Sequence, residues 1–146
     1  MRRLQLPLTF YVAAGSALGA VLRWGAGHWL NSHASIVAMP WNTLGVNVLG
    51  SLAIGFYAAM TGPGGRWTAS QGERMFIMAG VCGGFTTFSL FTAELVGCVQ
   101  RHEWGVLMML ASSSIAAWLA GVTCGYGIGR YWSRLAIRRD MHSKDN

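Results

Sequence analysis

Charged side chains divide this chain into long uncharged runs. Neither Lys/Arg nor Asp/Glu occurs over 4–22, 24–65, 75–93 or 104–129. A helix rises about 1.5 Å per residue and a bilayer's hydrocarbon core is about 30 Å thick, so about 20 apolar residues span it. The first, third and fourth runs are each close to one span. The second holds a polar stretch, Gly25–Pro40, ahead of a single span. The pattern predicts an all-α membrane protein, one domain over 1–146, with four transmembrane helices. They fall at about 5–25, 41–61, 74–99 and 105–129, followed by a basic C-terminal tail, 130–146.

Composition agrees with this pattern. Hydrophobic residues make up 53% and charged residues 11%, against about 25% charge in an ordinary soluble domain. A soluble globule and a disordered chain are both excluded. The twenty glycines follow no G-X-Y period, which excludes collagen. Trp24, Trp29, Trp41, Trp67, Trp104 and Trp132 fall near the predicted span ends, where indole prefers the headgroup boundary. Trp118 alone sits in mid-span.

The net charge of +6 does not point to nucleic acid, because the basic residues flank apolar helices. An even number of spans puts both termini and the 62–73 loop on one side. That side carries nine Lys/Arg against two, Arg23 and Arg101, on the other. The bias predicts both termini inside the cell. Cys82, Cys98 and Cys124 lie inside spans without metal-binding spacing and read as packing thiols. No Walker loop, Ser/His/Asp set or HExxH is present, so nothing suggests an enzyme. Gly15–Gly19, Gly80–Gly84, Gly121–Gly125 and Gly125–Gly129 are small-xxx-small pairs, which let membrane helices approach closely within or between subunits. Four spans are few to enclose a pathway, so a homo-oligomer is expected.

The third span reads Gly80-Val-Cys-Gly-Gly-Phe-Thr-Thr-Phe-Ser-Leu-Phe-Thr-Ala-Glu94. Its midpoint lies between Thr86 and Thr87. Gly83-Gly84 and the threonine pair are poor helix material, so the helix either breaks here or runs on, lubricated by glycine. Bare backbone cannot face lipid unsatisfied. Carbonyls freed at a break suit a small hard cation such as sodium. Phe88 and Phe91 share one helical face. They are either core or lipid contacts, or present positive ring edges to an anion. Glu94 is a carboxylate placed where it is functional, paired or reaching water. Asn47 makes either an interhelical hydrogen bond or offers an amide N–H to a passing anion. Arg23 either snorkels to the interface or lures anions to a pore mouth. Ser112, Ser113 and Ser114 either donate inward or bond back to the preceding turn.

Three strings are then telling: Gly15-Ser-Ala-Leu-Gly-Ala-Val-Leu-Arg23-Trp24, Asn42-Thr-Leu-Gly-Val-Asn47-Val-Leu-Gly50 and Gly83-Gly-Phe-Thr-Thr-Phe-Ser-Leu-Phe91. With length and span count, over about residues 8–130, the chain resembles the CrcB/Fluc family of small bacterial fluoride channels. The resemblance implies passive fluoride export through a multi-pass protein of the bacterial cytoplasmic (inner) membrane. It implies antiparallel, dual-topology homodimers with two narrow pores, and a third helix broken near the midplane. The pore asparagine then falls on Asn47 and the pore phenylalanines on Phe88 and Phe91, with Ser89, Thr87, Ser112 and Ser113 adding hydroxyls. A structural sodium ion at the dimer centre would sit on the backbone carbonyls of Gly83 and Thr86. Leu90 departs from the family's usual threonine and removes a hydroxyl. The nine-to-two bias raises a heterodimer with an oppositely oriented paralogue. Two rivals are a proton-coupled fluoride exporter using Glu94, and a small multidrug or cation exporter. The latter wants a carboxylate in the first span, where 4–22 has none.

Overall fold

A computed structural model describes residues 7–33 and 41–142, with side chains placed at 7–29 and 42–136. The chain forms α1 (Leu8–His33), α2 (Trp41–Thr61), α3 (Gln71–Arg74), a π-helical segment (Met75–Cys82), α4 (Gly83–Phe85), α5 (Phe88–Gln100) and α6 (Trp104–His142). No strand occurs among the described residues. Three stretches are long and apolar enough to cross a membrane: Asn42–Thr61, Gln71–Gln100 and Trp104–Ala136. This is a multi-pass, all-helical membrane protein. The 26 residues of α1 have the length, but Arg23 and the glycines dilute its apolar content and it is not among the three.

Two helices run further than the charge pattern suggests. Expected to stop at 25, α1 continues through Gly25-Ala-Gly27 to His33. Expected to stop at 129, α6 continues to His142, so most of the basic tail is helix. In both cases polar residues mark where apolar surface ends, not where backbone hydrogen bonding ends. Residues 1–6, 34–40 and 143–146, with the expected start of the first helix and Lys144, lie outside the described residues.

Glycines set the packing. A Cβ on Gly15 would stand 2.8 Å from the Gly80 Cα, and one on Gly84 would stand 2.8 Å from the Ser16 Cα. Gly19 faces the Val81 carbonyl, the Phe85 nitrogen and the Gly84 carbonyl carbon. Backbone therefore lies on backbone where α1 crosses the first half of the third span. The second pair is α2 with α6: Gly125 faces the Leu52 backbone, Gly55 the Val122 carbonyl, and Gly129 the Phe56 carbonyl at 2.8 Å. These small-xxx-small pairs thus serve packing within one chain. Arginines close the ends. Arg74 Nη1 donates to the Thr61 carbonyl at 2.9 Å and Arg130 Nη1 to the Pro63 carbonyl at 2.8 Å. Both satisfy carbonyls left bare at or just past the C-terminus of α2, where positive charge is favoured. A capping box at Ser70 and Glu73 starts α3.

Candidate functional site: a clamped break in the third span

The third span is interrupted at Thr86 and Thr87. Thr86 turns extended (φ −78°, ψ 159°), and so does Thr87 (φ −143°, ψ 123°). Upstream, the eight π-helical residues Met75–Cys82 are an unusually long departure from α-geometry.

Asn47 of α2 holds the break. Its Nδ2 donates to the Thr87 carbonyl at 2.9 Å, and its Oδ1 accepts from the Thr87 N–H at 2.7 Å. One amide therefore satisfies both polar groups of one peptide residue. Asn47 and Thr87 are each 5% exposed, so without this pairing the break would strand buried backbone, at about 1–3 kcal/mol per group. Four residues earlier on the same face of α2, Thr43 Oγ1 donates to Glu94 Oε1 at 2.5 Å. Glu94 Oε2 is buried and has no partner. Two polar rungs, Asn47–Thr87 and Thr43–Glu94, thus join α2 to the break and α5. Thr43 was not singled out from the sequence; its i−4 spacing from Asn47 was the available signal.

The break exposes both kinds of helix end. Because the Thr87 N–H goes to Asn47, it no longer closes a turn on the Gly83 carbonyl; Thr86 Oγ1 lies 3.5 Å from that carbonyl and 3.0 Å from the Cys82 carbonyl. The Thr86 carbonyl accepts from Arg23 Nη1 at 3.0 Å. Arg23 thus lies against the negative end of the interrupted helix. On the other side α5 begins, capped by Thr87 Oγ1, which accepts from the Leu90 N–H at 3.3 Å. Thr87 Oγ1 and Ser89 Oγ are 3.2 Å apart. Unpaired N–H groups and the helix dipole make such an N-terminus attractive to anions. The break therefore presents cation-favouring carbonyls on one side and anion-favouring N–H groups on the other.

The two phenylalanines differ in surroundings. Their centroids are 5.7 Å apart with planes at 50°. Phe91 is 4% exposed and packs edge-on against Trp118, centroids 4.9 Å apart at 73°. Phe88 is 68% exposed on the single chain. Ser112 and Ser113 are exposed, and bond back to the Met108 and Met109 carbonyls at 2.7 and 2.6 Å. The serine of that run turned into the protein is Ser114, 1% exposed.

Two cavities follow one another along α2. One of about 210 Å³ is lined by Asn47, Ser51, Thr86, Thr87, Phe88 and Trp118. The other, about 480 Å³, includes Arg23, His28, Asn42, Thr43 and Leu90. A third, of about 510 Å³ around Tyr11, Tyr57, Trp67 and Glu73, lies at the far end of α2, away from the break. Among the described residues no cluster of His, Cys, Asp and Glu could hold a metal ion. The Gly83 and Thr86 carbonyls are the hard oxygen donors that would suit sodium. Two oxygens are too few for a cation on their own, so the donor type fits and the count does not within one chain.

The fold and site together define a multi-pass helical membrane protein with one span opened at Thr86 and Thr87, a buried amide fixing the opening and aromatic rings beside it. The chain belongs to the CrcB family: residues 10–126 match the family described as CrcB-like protein, Camphor Resistance (CrcB). It is 38% identical over 125 residues to the fluoride-specific ion channel FluC 1 of Bradyrhizobium diazoefficiens, covering 86% of each chain. It is 41% identical over 127 residues to FluC 1 of Rhodopseudomonas palustris, covering 85% of this chain and 87% of the relative. A FluC of Bordetella petrii is 40% identical over 126 residues, covering 86% and 94%.

Proposed function

We infer that this chain is a fluoride-selective ion channel, not an enzyme, and that it lets cytoplasmic fluoride leave passively. The observation that carries this reading is the Asn47-clamped break at the 210 Å³ cavity shared with Phe88. Membership of a family with fluoride-specific channels supports it. Fluoride holds water tightly, so a pathway has to replace that water with donors. Asn47 spends one Nδ2 hydrogen on Thr87 and keeps the other for an ion. The start of α5, the Thr87 and Ser89 hydroxyls and the edges of Phe88 and Phe91 supply further partial positive charge. Arg23, beside the larger cavity, raises local anion concentration at the mouth. Ser112 and Ser113 have the weaker case, because their hydroxyls already serve their own helix.

In this reading α1 is a fourth span and the protein sits in the bacterial inner membrane. Two antiparallel copies pair, which would place the exposed ring of Phe88 against the partner. A heterodimer with an oppositely biased paralogue is the alternative arrangement, favoured by the nine-to-two distribution of basic residues. The Gly83 and Thr86 carbonyls of two copies would together hold a structural sodium, contributing fixed positive charge. The second functional reading, proton-coupled exchange through Glu94, is motivated by its orphaned Oε2.

A fluoride electrode outside liposomes containing this chain alone tests the channel reading. Fluoride efflux without chloride efflux, unchanged by a pH gradient, is expected. Flux that follows the pH gradient would move the assignment to the antiporter. Phe88→Ile and Phe91→Ile should each slow efflux about tenfold, since aromatic edge contacts are worth about 0.5–1.5 kcal/mol. Wild-type rates in both would remove the rings from the pathway. Preparation in N-methylglucamine instead of sodium should lower flux or thermal stability, restored by adding sodium. Indifference to the exchange would count against the central ion.

A further inference from the structure

Trp118 is the one tryptophan that the sequence places in mid-span, and no aromatic belt accounts for it. The structure puts it at the break. Its side chain lines the same cavity as Asn47, Ser51, Thr87 and Phe88. Its ring meets Phe91 nearly at right angles, 4.9 Å between centroids. Its indole nitrogen Nε1 is buried and has no acceptor. Indole N–H is a donor only, and buried tryptophans usually find a partner for it. In a low-dielectric interior an unmade donor is costly. Two carbonyls of the break already accept from other donors, Thr87 from Asn47 and Thr86 from Arg23.

We propose that the buried indole N–H of Trp118, on the wall of the cavity beside Asn47 and Phe88, is a fluoride donor and helps set anion selectivity. The proposal rests on the channel reading above. It assigns to α6 a contribution that the back-bonded hydroxyls of Ser112 and Ser113 do not make. A dehydrated fluoride in this cavity is the kind of acceptor that a single strong N–H can serve. Larger, softer anions gain less from such a contact. The same ring braces Phe91, so one side chain both donates to the ion and positions an aromatic edge.

The test separates the two roles. Trp118→Phe keeps an aromatic ring against Phe91 and removes the N–H. Fluoride efflux from liposomes should fall at least tenfold, and the fluoride-over-chloride ratio should narrow. Trp118→His returns a ring N–H and should recover part of the loss, whereas Trp118→Leu should not. A direct readout is the ¹H–¹⁵N spectrum of the wild-type protein in micelles. Of the seven tryptophan indole signals, the one absent from Trp118→Phe should shift when chloride is replaced by fluoride, and not when it is replaced by nitrate. If Trp118→Phe does not assemble, single replacement of the other six tryptophans assigns that signal. Wild-type flux and selectivity in Trp118→Phe, or a Trp118 signal indifferent to fluoride, overturns the proposal and leaves the channel reading intact. Wild-type liposomes that pass no fluoride overturn the channel reading first.

Discussion

Asn47→Asp should reduce fluoride efflux at neutral pH by at least about a hundredfold, while the protein still inserts and purifies. The reason is geometric. The substitution removes two N–H donors and adds none when ionised. An oxygen then stands where Nδ2 donated to the Thr87 carbonyl at 2.9 Å, so two acceptors face each other in a buried site. Leaving a buried polar group unpaired costs about 1–3 kcal/mol, more when a charge is involved. Losing the clamp frees the Thr87 peptide to leave the geometry that positions the start of α5, and each 1.36 kcal/mol this adds to the ion's barrier is about tenfold in rate. The new negative charge in an anion's path adds to it. Asn47→Leu separates the contributions, because it loses the clamp without adding charge, and it should fall less. Efflux measured by electrode, with gel filtration to show that assembly is retained, decides. Wild-type conduction in Asn47→Asp would remove Asn47 from both clamp and pathway.

Gly19→Val should remove most folded protein. A Cβ at Gly19 meets the Val81 carbonyl, the Phe85 nitrogen at 2.7 Å and the Gly84 carbonyl carbon at 2.9 Å. All three are backbone atoms, so no side chain can swing away. The two helices have to part just ahead of the break, and overpacking of this kind costs about 1–3 kcal/mol or more. The expected outcome is a melting temperature in detergent lowered by more than ten degrees, or no monodisperse peak. Gly105→Ala, where nothing lies within 4 Å of the added carbon, should behave as wild type and serves as the control. Equal stability of the two variants would mean that α1 does not lie on the third span as described.

Much of this arrangement is legible in the residues, and the limits have physical causes. Gly83-Gly84-Phe-Thr-Thr87 is a weak helix former in the middle of an apolar run, and the chain does leave the helix at Thr86 and Thr87. The span of α2 follows directly from its apolar length. The π-helical geometry of Met75–Cys82 leaves no such mark, because its residues are ordinary membrane apolar types. Periodicity reports which residues are apolar, not which carbonyl each N–H selects. The far ends of α1 and α6 were missed for a similar reason: Gly25 and Arg130 mark where apolar surface ends, but helical backbone does not need apolar surface to continue. For Asn47 the sequence left an interhelical bond and an anion donor as alternatives, and the geometry makes the two compatible. One Nδ2 hydrogen serves Thr87 while the other is uncommitted. Rotation about a helix axis is equally invisible in one sequence. Within the run Ser112-Ser113-Ser114, Ser114 is the one turned into the chain's own packing, and nothing in the run of three identical residues marks it.

The length of α6 has a bearing on how an ion experiences this protein. Its 39 residues extend about 58 Å, roughly twice the hydrocarbon thickness, so the rod is longer than one crossing needs. Arg138 and Arg139 lie about 12–14 Å further along that rod than Arg130, beyond the screening distance of about 8 Å in physiological salt. Two of the eleven Lys/Arg are thus carried on helix beyond the reach of a charge at Arg130. If the channel reading holds, shortening the rod by its outer turns should leave fluoride entry unchanged, whereas removing arginines nearer the helix ends should slow it.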